Sequence, residues 1–261
     1  MSLRCLVPST KGNNYILCGY NCDSNHVFAE PMKNRKKASQ IKAVTTIIKN
    51  LKAAGLRPTF HILENEVSTD LIAFLETDEN ITVQLAPDGC HHRNTAERAI
   101  RTFKNHFIAG LCTAHKNFPL NKWDSLLPQA VITLNLLRTS CINPKIFAHT
   151  LLNGLYNFNA TPMTPPGSRI LLHKKPALCG TWAAHDVNAW YLVPALHHYR
   201  CYHVYIAETR GERISDTVVW FPTKERTPMS SSIDLAIAAA RFNRISPVTA
   251  PGFSNLSLLR Q

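Results

Sequence analysis

The spacing of hydrophobic and polar residues alternates between strand-like and helical along the first half of the chain. Short apolar runs bounded by turn residues predict strands, and apolar positions that recur every three or four residues predict helices. The pattern predicts strands at 13–20, 26–31, 59–63 and 81–85, and helices at 36–54 and from 68 to about 76. A loop rich in Pro, Asp and Gly at 86–93 then leads into the most regular segment of the sequence.

That segment runs from Asn94 to Leu111 and has the pattern of an amphipathic helix, which Asn94 or Thr95 can cap. The residues of its apolar stripe are Ala96, Ile100, Phe103, Phe107 and Leu111.

Charged residues lie beside this stripe. Glu97, Arg101 and Lys104 follow one another at i, i+4 and i+7, so they share one face of the helix. A carboxylate with two cations behind it suits a site for a metal ion and an adjacent phosphate. An ordinary capped helix with a Glu–Arg pair has the same pattern, and this segment alone does not separate the two interpretations.

The second half of the chain predicts a helix, a linker and a small all-β module. A helical pattern extends from about 122 to 139, and the proline-rich segment 157–168 predicts a linker over the surface. Strands are predicted at 169–173, 190–195, 199–208 and 216–221, with a hairpin turn at 209–211 between the last two. This module has about the size of a five-stranded barrel.

Together these elements predict an α/β fold class, with a mixed sheet flanked by helices, then a small all-β barrel and a C-terminal helix. The predicted domains are a core at 1–156, the linker at 157–168, the barrel at 169–225, and a helix with a loose tail at 226–261. The helical pattern in the last of these covers Ser232–Asn243.

The charge balance points to a polyanionic partner. Lys and Arg number 29 against 17 Asp and Glu, giving a formal net charge of +12. From Pro31 to Pro58 the chain has Lys and Arg but no acidic residue, which favours nucleic acid over an acidic membrane surface. No apolar run approaches the length of a membrane span, and no signal peptide is recognisable. Scattered cysteines without a CxxC pair predict an intracellular protein with reduced thiols.

Three runs of the sequence resemble a known family. They are YILCGYNCDSNHVFAEPMKNR, PTFHILENEVS and VQLAPDGCHHRNTAERAIRTFKNHF, and they resemble the integrase core of copia-type retrotransposons. The resemblance covers roughly residues 3–222, because the segment 180–222 resembles the small SH3-like barrel that follows the core in those polyproteins. It implies a ribonuclease-H-like fold, in which two Asp and one Glu hold two divalent cations for DNA strand transfer.

The resemblance also implies particular site residues. The family's glutamate falls on Glu97, and its second acid falls on Glu64, where the family has Asp. These two are the expected catalytic residues and the expected ligands of Mg2+ or Mn2+. The expected nucleic-acid-binding residues around them are Arg93, Asn94, Arg101 and Lys104.

The first acidic ligand has no counterpart. The family carries it on the strand before 13–20, and residues 1–12 contain no Asp or Glu. We therefore expect the first strand and the first ligand to be missing. The Glu in place of Asp at position 64 also extends the side chain by a methylene, beyond the tolerance of a catalytic constellation. Asp23 falls on a turn where the family's acid is structural, but its use as a substitute ligand stays open.

Three functions remain open at this point. The chain is a DNA-binding integrase relative that has lost catalysis, a residual metal-dependent nuclease or integrase with a substitute acid, or a host-recruited binding module. The expected partners are DNA, both element ends and target, and another copy of the chain, with no membrane. The expected location is intracellular and nuclear.

Overall fold

The structure is a computed structural model that describes residues 2–5, 7–63, 68–86, 95–174 and 179–221. Within these ranges the chain is mixed α/β, as the sequence pattern predicts. Its first sheet is antiparallel, with the strand order β1-β2-β3. The strands are β1 (Ser2–Arg4), β2 (Tyr15–Asn21) and β3 (His26–Met32).

A second, parallel sheet consists of β4 (Phe60–Leu63) and β5 (Thr82–Leu85). Helix α1 (Lys37–Ala53) precedes it, and α2 (Thr69–Ala73) lies between its strands and continues into a π-helical turn, Phe74–Asp78. The strands and helices predicted for this part of the chain are therefore present, with small differences in their ends. The apolar faces of α1 and α2 meet in a cluster formed by Val44, Ile48, Leu71, Leu75 and Ile81.

The single mixed sheet that the resemblance implies is not confirmed. In the described part of the chain, β1 pairs with β2, and β4 pairs with β5, as two separate sheets. Contrary to the expectation of a missing strand, β1 precedes β2 and pairs with it antiparallel, although it contains no acidic residue. Because β1 has only three residues, its outer edge offers few backbone groups with which another strand could pair.

Helices cover the first sheet. They are α3 (Thr95–Thr113), α4 (Leu127–Leu136) and the short, unpredicted α5 (Ala148–Asn153), and a 3₁₀ helix, Leu120–Leu126, leads into α4. The helix predicted from about 122 to 139 is thus divided in two at Pro128, which lies in the first turn of α4, where proline is tolerated. Across the described ranges, none of the helices combines the length and apolarity that crossing a bilayer requires.

The last part of the described chain is an antiparallel sheet with the order β10-β6-β7-β8-β9. The predicted barrel is not confirmed, because the described strands leave this sheet open, with β9 and β10 at its two edges. The turn at 209–211 joins β8 to the unpredicted β9, and the predicted helix 232–243 lies outside the described residues. The strands are β6 (Arg169–His173), β7 (Asp186–Pro194), β8 (Tyr202–Ile206), β9 (Gly211–Ser215) and β10 (Val218–Trp220).

This sheet packs onto the helices of the preceding part. Leu192 and Tyr205 belong to the same buried cluster as Phe103 and Trp123, so one apolar core extends across the predicted linker. Polar contacts reinforce the packing on the same side: the Tyr191 hydroxyl donates to the side-chain oxygen of Gln129 over 2.7 Å. The predicted domain limits stay a prediction.

The segment 157–168, which the sequence predicts to be a linker, is held in place by hydrogen bonds and burial. The side-chain amide of Gln129 donates to the carbonyl oxygen of Thr164 over 2.7 Å, and Ser168 is buried. The segment thus takes part in the contact between the helices and the last sheet.

Candidate nucleic-acid interface

Helix α3 is fixed in place by its apolar face. Ile100, Phe103 and Phe107 are buried, and they pack against the first sheet in one cluster. The rings of Phe103 and Phe107 are stacked with centroids 5.9 Å apart. The predicted stripe is confirmed at its centre, while Ala96 and Leu111 at its ends are only half-buried.

The charged residues predicted beside this stripe lie on the same helix at the expected spacing. Glu97 stands in the first turn and is half-buried, Arg101 is exposed, and Lys104 is half-buried. A helical repeat of about 3.6 residues places all three along one side of α3. The carboxylate of Glu97 also stands where the helix dipole favours negative charge. The arrangement can therefore present two cations to a phosphate backbone while α3 stays anchored.

Three of the predicted site residues, Glu64, Arg93 and Asn94, lie outside the described residues. The strand before Glu64 is in place, since β4 ends at Leu63 and pairs with β5 in the register Leu63↔Leu85. Whether Glu64 and Glu97 face one another across a cleft remains a prediction.

No group of three or more His, Cys, Asp and Glu side chains within the described ranges is placed to hold a metal ion. Of the two expected carboxylate ligands, only Glu97 lies in those ranges. One carboxylate does not supply the oxygen set that Mg2+ requires, so the described residues by themselves do not fit a two-cation centre, and we derive no chemical step through a metal ion.

Two histidines near this region carry little positive charge at neutral pH. Burial lowers the pKa of His61 on β4 and of His106 on α3. The Nε2 atom of His106 lies 2.8 Å from the hydroxyl oxygen of Thr133, a hydrogen bond that ties α3 to α4. The positive charge of α3 therefore comes from its Arg and Lys side chains, which include Arg101 and Lys104.

The excess of positive charge around α1 is smaller than the sequence indicates, because acidic residues from another part of the chain lie beside it. Lys37 lies 3.3 Å from a carboxylate oxygen of Asp70, and Lys52 pairs with Glu79. Both acids come from the α2 region, which folds back beside α1. Such exposed pairs contribute little to stability, but they reduce the field available to a polyanion.

Asp23 lies exposed on the turn between β2 and β3. Its backbone oxygen accepts hydrogen bonds from the backbone N–H groups of Cys141 and Ile142, each over 3.1 Å. These bonds give the turn a structural role, joining it to the loop that follows α4. A catalytic role for the Asp23 carboxylate remains the alternative prediction.

An ion pair that the sequence did not indicate joins the helices to the last sheet. The Lys122 Nζ atom donates to Oε1 of Glu212 over 2.9 Å, and lies 4.6 Å from the ring centroid of Tyr205. Burial favours a higher pKa for Glu212, but the bond from Lys122 and the charge of Lys11 hold it below its usual value. Ninety positions separate the two partners, so no local pattern could reveal the pair.

Comparison with known proteins does not assign this chain to a family. No family model matches the chain, and no curated protein matches it significantly. One solved structure that matches the chain remotely is described as a cryoEM structure of the simian T-cell lymphotropic virus intasome in complex with PP2A regulatory subunit B56 gamma. The two chains share 14% sequence identity with a TM-score of 0.45, and the match covers 84% of this chain and 73% of that one. A likeness this remote assigns neither function nor site residues.

Proposed function

We propose that this chain is an integrase-like DNA-binding protein of retrotransposon origin that no longer catalyses strand transfer. The observation that supports DNA binding is the charged row on α3, where Arg101 and Lys104 follow Glu97 on a helix anchored to the first sheet. The formal net charge of +12 acts in the same direction. The integrase-like runs of the sequence include this helix.

The loss of catalysis follows from the acidic residues that are present. Glu64 and Glu97 are the proposed ligands of Mg2+ or Mn2+, and residues 1–12 contain no carboxylate that could join them. Two carboxylates hold a divalent cation weakly, because the missing one would contribute both charge and a fixed direction. The Glu64 side chain is also longer by one methylene than the Asp that the family has there, so its carboxylate would hold a cation with less precise geometry.

We also propose partners and a cellular location for the chain. Arg93 and Asn94 precede α3, and we assign them to the same DNA surface as Arg101 and Lys104. Element ends and target DNA are the proposed partners, with a second copy of the chain beside them. Such partners place the protein inside the cell, in the nucleus.

Binding of a fluorescent duplex at several salt concentrations tests the DNA surface. If Arg101 and Lys104 each contact a phosphate, the double variant Arg101→Gln/Lys104→Gln reduces the slope of log affinity against log salt by about 2. The matched control is Lys116→Gln, which removes an exposed cation beyond the C-terminal end of α3. The control keeps the wild-type slope.

Equal slopes for the double variant and the wild-type protein would remove α3 from the interface. No measurable duplex binding by the wild-type chain at low salt would reject the proposed function as a whole.

A further inference from the structure

Two loops, 155–161 and 195–201, expose large apolar side chains. The rings of Phe158 and Tyr199 are 60% and 71% exposed. Single exposed apolar residues are ordinary, but several on adjoining loops are typical of a contact surface. We define Phe158, Tyr199 and Arg200 as the aromatic patch. The exposed apolar side chains of the two loops are Leu155, Phe158, Leu196 and Tyr199.

Arg200 joins the two loops. Its backbone N–H donates to the carbonyl oxygen of Ala160 over 2.7 Å, and its Nε donates to the carbonyl oxygen of Asn159 over 3.0 Å. Arg200 adopts a left-handed backbone conformation with φ of 52°, which costs free energy for a residue with a side chain. The bonds across the loops offset this strain and hold the segment that contains Tyr199 beside the segment that contains Phe158.

Each ring of the patch contacts a neighbouring side chain. Phe158 packs against the ring of Tyr156, with centroids 4.8 Å apart, and the Tyr156 hydroxyl donates to the carbonyl oxygen of Thr161 over 2.6 Å. The guanidinium carbon of Arg200 lies 5.7 Å from the ring centroid of Tyr199. The patch therefore combines a Phe158 ring that packs on Tyr156 with a Tyr199 ring that lies beside the Arg200 guanidinium.

The charge of this region suits an anionic partner. Between Asp124 and Glu208 the sequence contains one acidic residue, Asp186, and that residue pairs with His173 in the last sheet. The two loops contain no acidic residue of their own, and they carry Arg200 together with two exposed histidines, His197 and His198. A polyanion approaching the patch meets no carboxylate from the loops.

We propose that the aromatic patch binds a single-stranded nucleic acid, with bases stacked on Phe158 and Tyr199 and a phosphate at Arg200. Aromatic rings bind unpaired bases irrespective of sequence, and a neighbouring cation follows the backbone. Duplex DNA keeps its bases stacked inside the helix, so the patch selects unpaired strands. The inference rests on the proposed function, because it assigns a second contact to the same nucleic-acid partner.

To test the patch, we measure the affinity of the full chain for two fluorescent probes. One is a 20-nucleotide oligothymidylate and the other is a 20-base-pair duplex. The double variant Phe158→Ala/Tyr199→Ala loses at least about tenfold in affinity for the oligothymidylate and keeps its affinity for the duplex. The ring-preserving variant Phe158→Tyr/Tyr199→Phe keeps both affinities. The matched control Trp182→Ala, which removes a fully exposed ring elsewhere on the described surface, also keeps both.

An unchanged affinity of the alanine variant for oligothymidylate overturns the inference, as does an equal loss for the duplex. A change in self-association without a change in oligothymidylate binding also overturns it and makes the patch a contact between copies. If duplex binding responds to Arg101→Gln/Lys104→Gln while the patch variants have no effect, only this inference fails. If the wild-type chain binds neither nucleic acid, the proposed function fails with it.

Discussion

His26 lies at the start of β3 with only 3% of its surface exposed. Neither ring nitrogen has a hydrogen-bond partner among the described residues. Burial, together with electrostatic repulsion by His149 and Arg138, lowers its pKa from 6.5 to about 3. The imidazole is therefore neutral in the folded protein at pH values well above about 3.

Burial of His26 is one contribution to the acid sensitivity of the fold. Between pH 6.5 and about 3 the unfolded chain takes up a proton at His26 that the folded chain does not, so the free energy of unfolding falls as the pH is lowered. The variant His26→Leu removes this contribution, which is on the order of a few kcal/mol at pH 4.

Urea unfolding of both proteins at pH 7 and pH 4 measures the difference. We expect a smaller loss of stability on acidification for His26→Leu, and a wild-type loss for the control His197→Leu, which changes an exposed histidine. The same loss in all three proteins would show that His26 protonates freely in the folded state.

At the scale of elements, the segment between the helices and the last sheet is closely packed. Gly167 has a φ of 76°, and a Cβ atom added there would lie 2.6 Å from the Cβ atom of Ala114. Its backbone N–H donates to the carbonyl oxygen of Tyr191 over 2.9 Å. The close approach of Ala114 leaves room for glycine alone.

Comparing two glycines separates backbone strain from packing. Gly12 has a nearly equal φ of 79° but no atom within 4 Å of an added Cβ. We expect Gly12→Ala to lower the free energy of unfolding by about 1 kcal/mol through backbone strain alone. Gly167→Ala should lower it by roughly 1–3 kcal/mol more, because Ala114 must also shift. Urea unfolding checks both variants, and equal losses would mean that this segment is not tightly packed.

Sequence patterns predict the elements of this chain better than their pairing. The apolar periodicity of α1 and α3 identified both helices, because it reports directly which face is buried. The predicted strand 216–221 contains β10, whereas β1 has only three residues, too few to show a period, and β9 alternates too weakly to stand out. The charged row on α3 follows from helical spacing, whereas the pair Lys122–Glu212 and the aromatic patch depend on contacts between distant parts of the chain.

At the scale of the whole molecule, one apolar core and the partly buried ion pair Lys122–Glu212 hold the last sheet against the helices. Helix α3 and the aromatic patch therefore belong to parts of the chain that pack together. A nucleic acid that reaches both meets the cations of α3 and the rings of the patch as two separate contacts.

The proposed function is that this chain binds DNA but does not catalyse strand transfer. To test it, the full chain is incubated with an end-labelled DNA duplex at low salt, in the presence of Mg2+ or Mn2+. Bound duplex is read from anisotropy and cut or joined strands from a denaturing gel, for the wild-type protein and for Glu97→Gln. We expect the wild-type chain to bind the duplex and to leave its strands intact with either cation. A nicked or joined product that the wild-type protein forms and Glu97→Gln does not would show that the site still catalyses strand transfer.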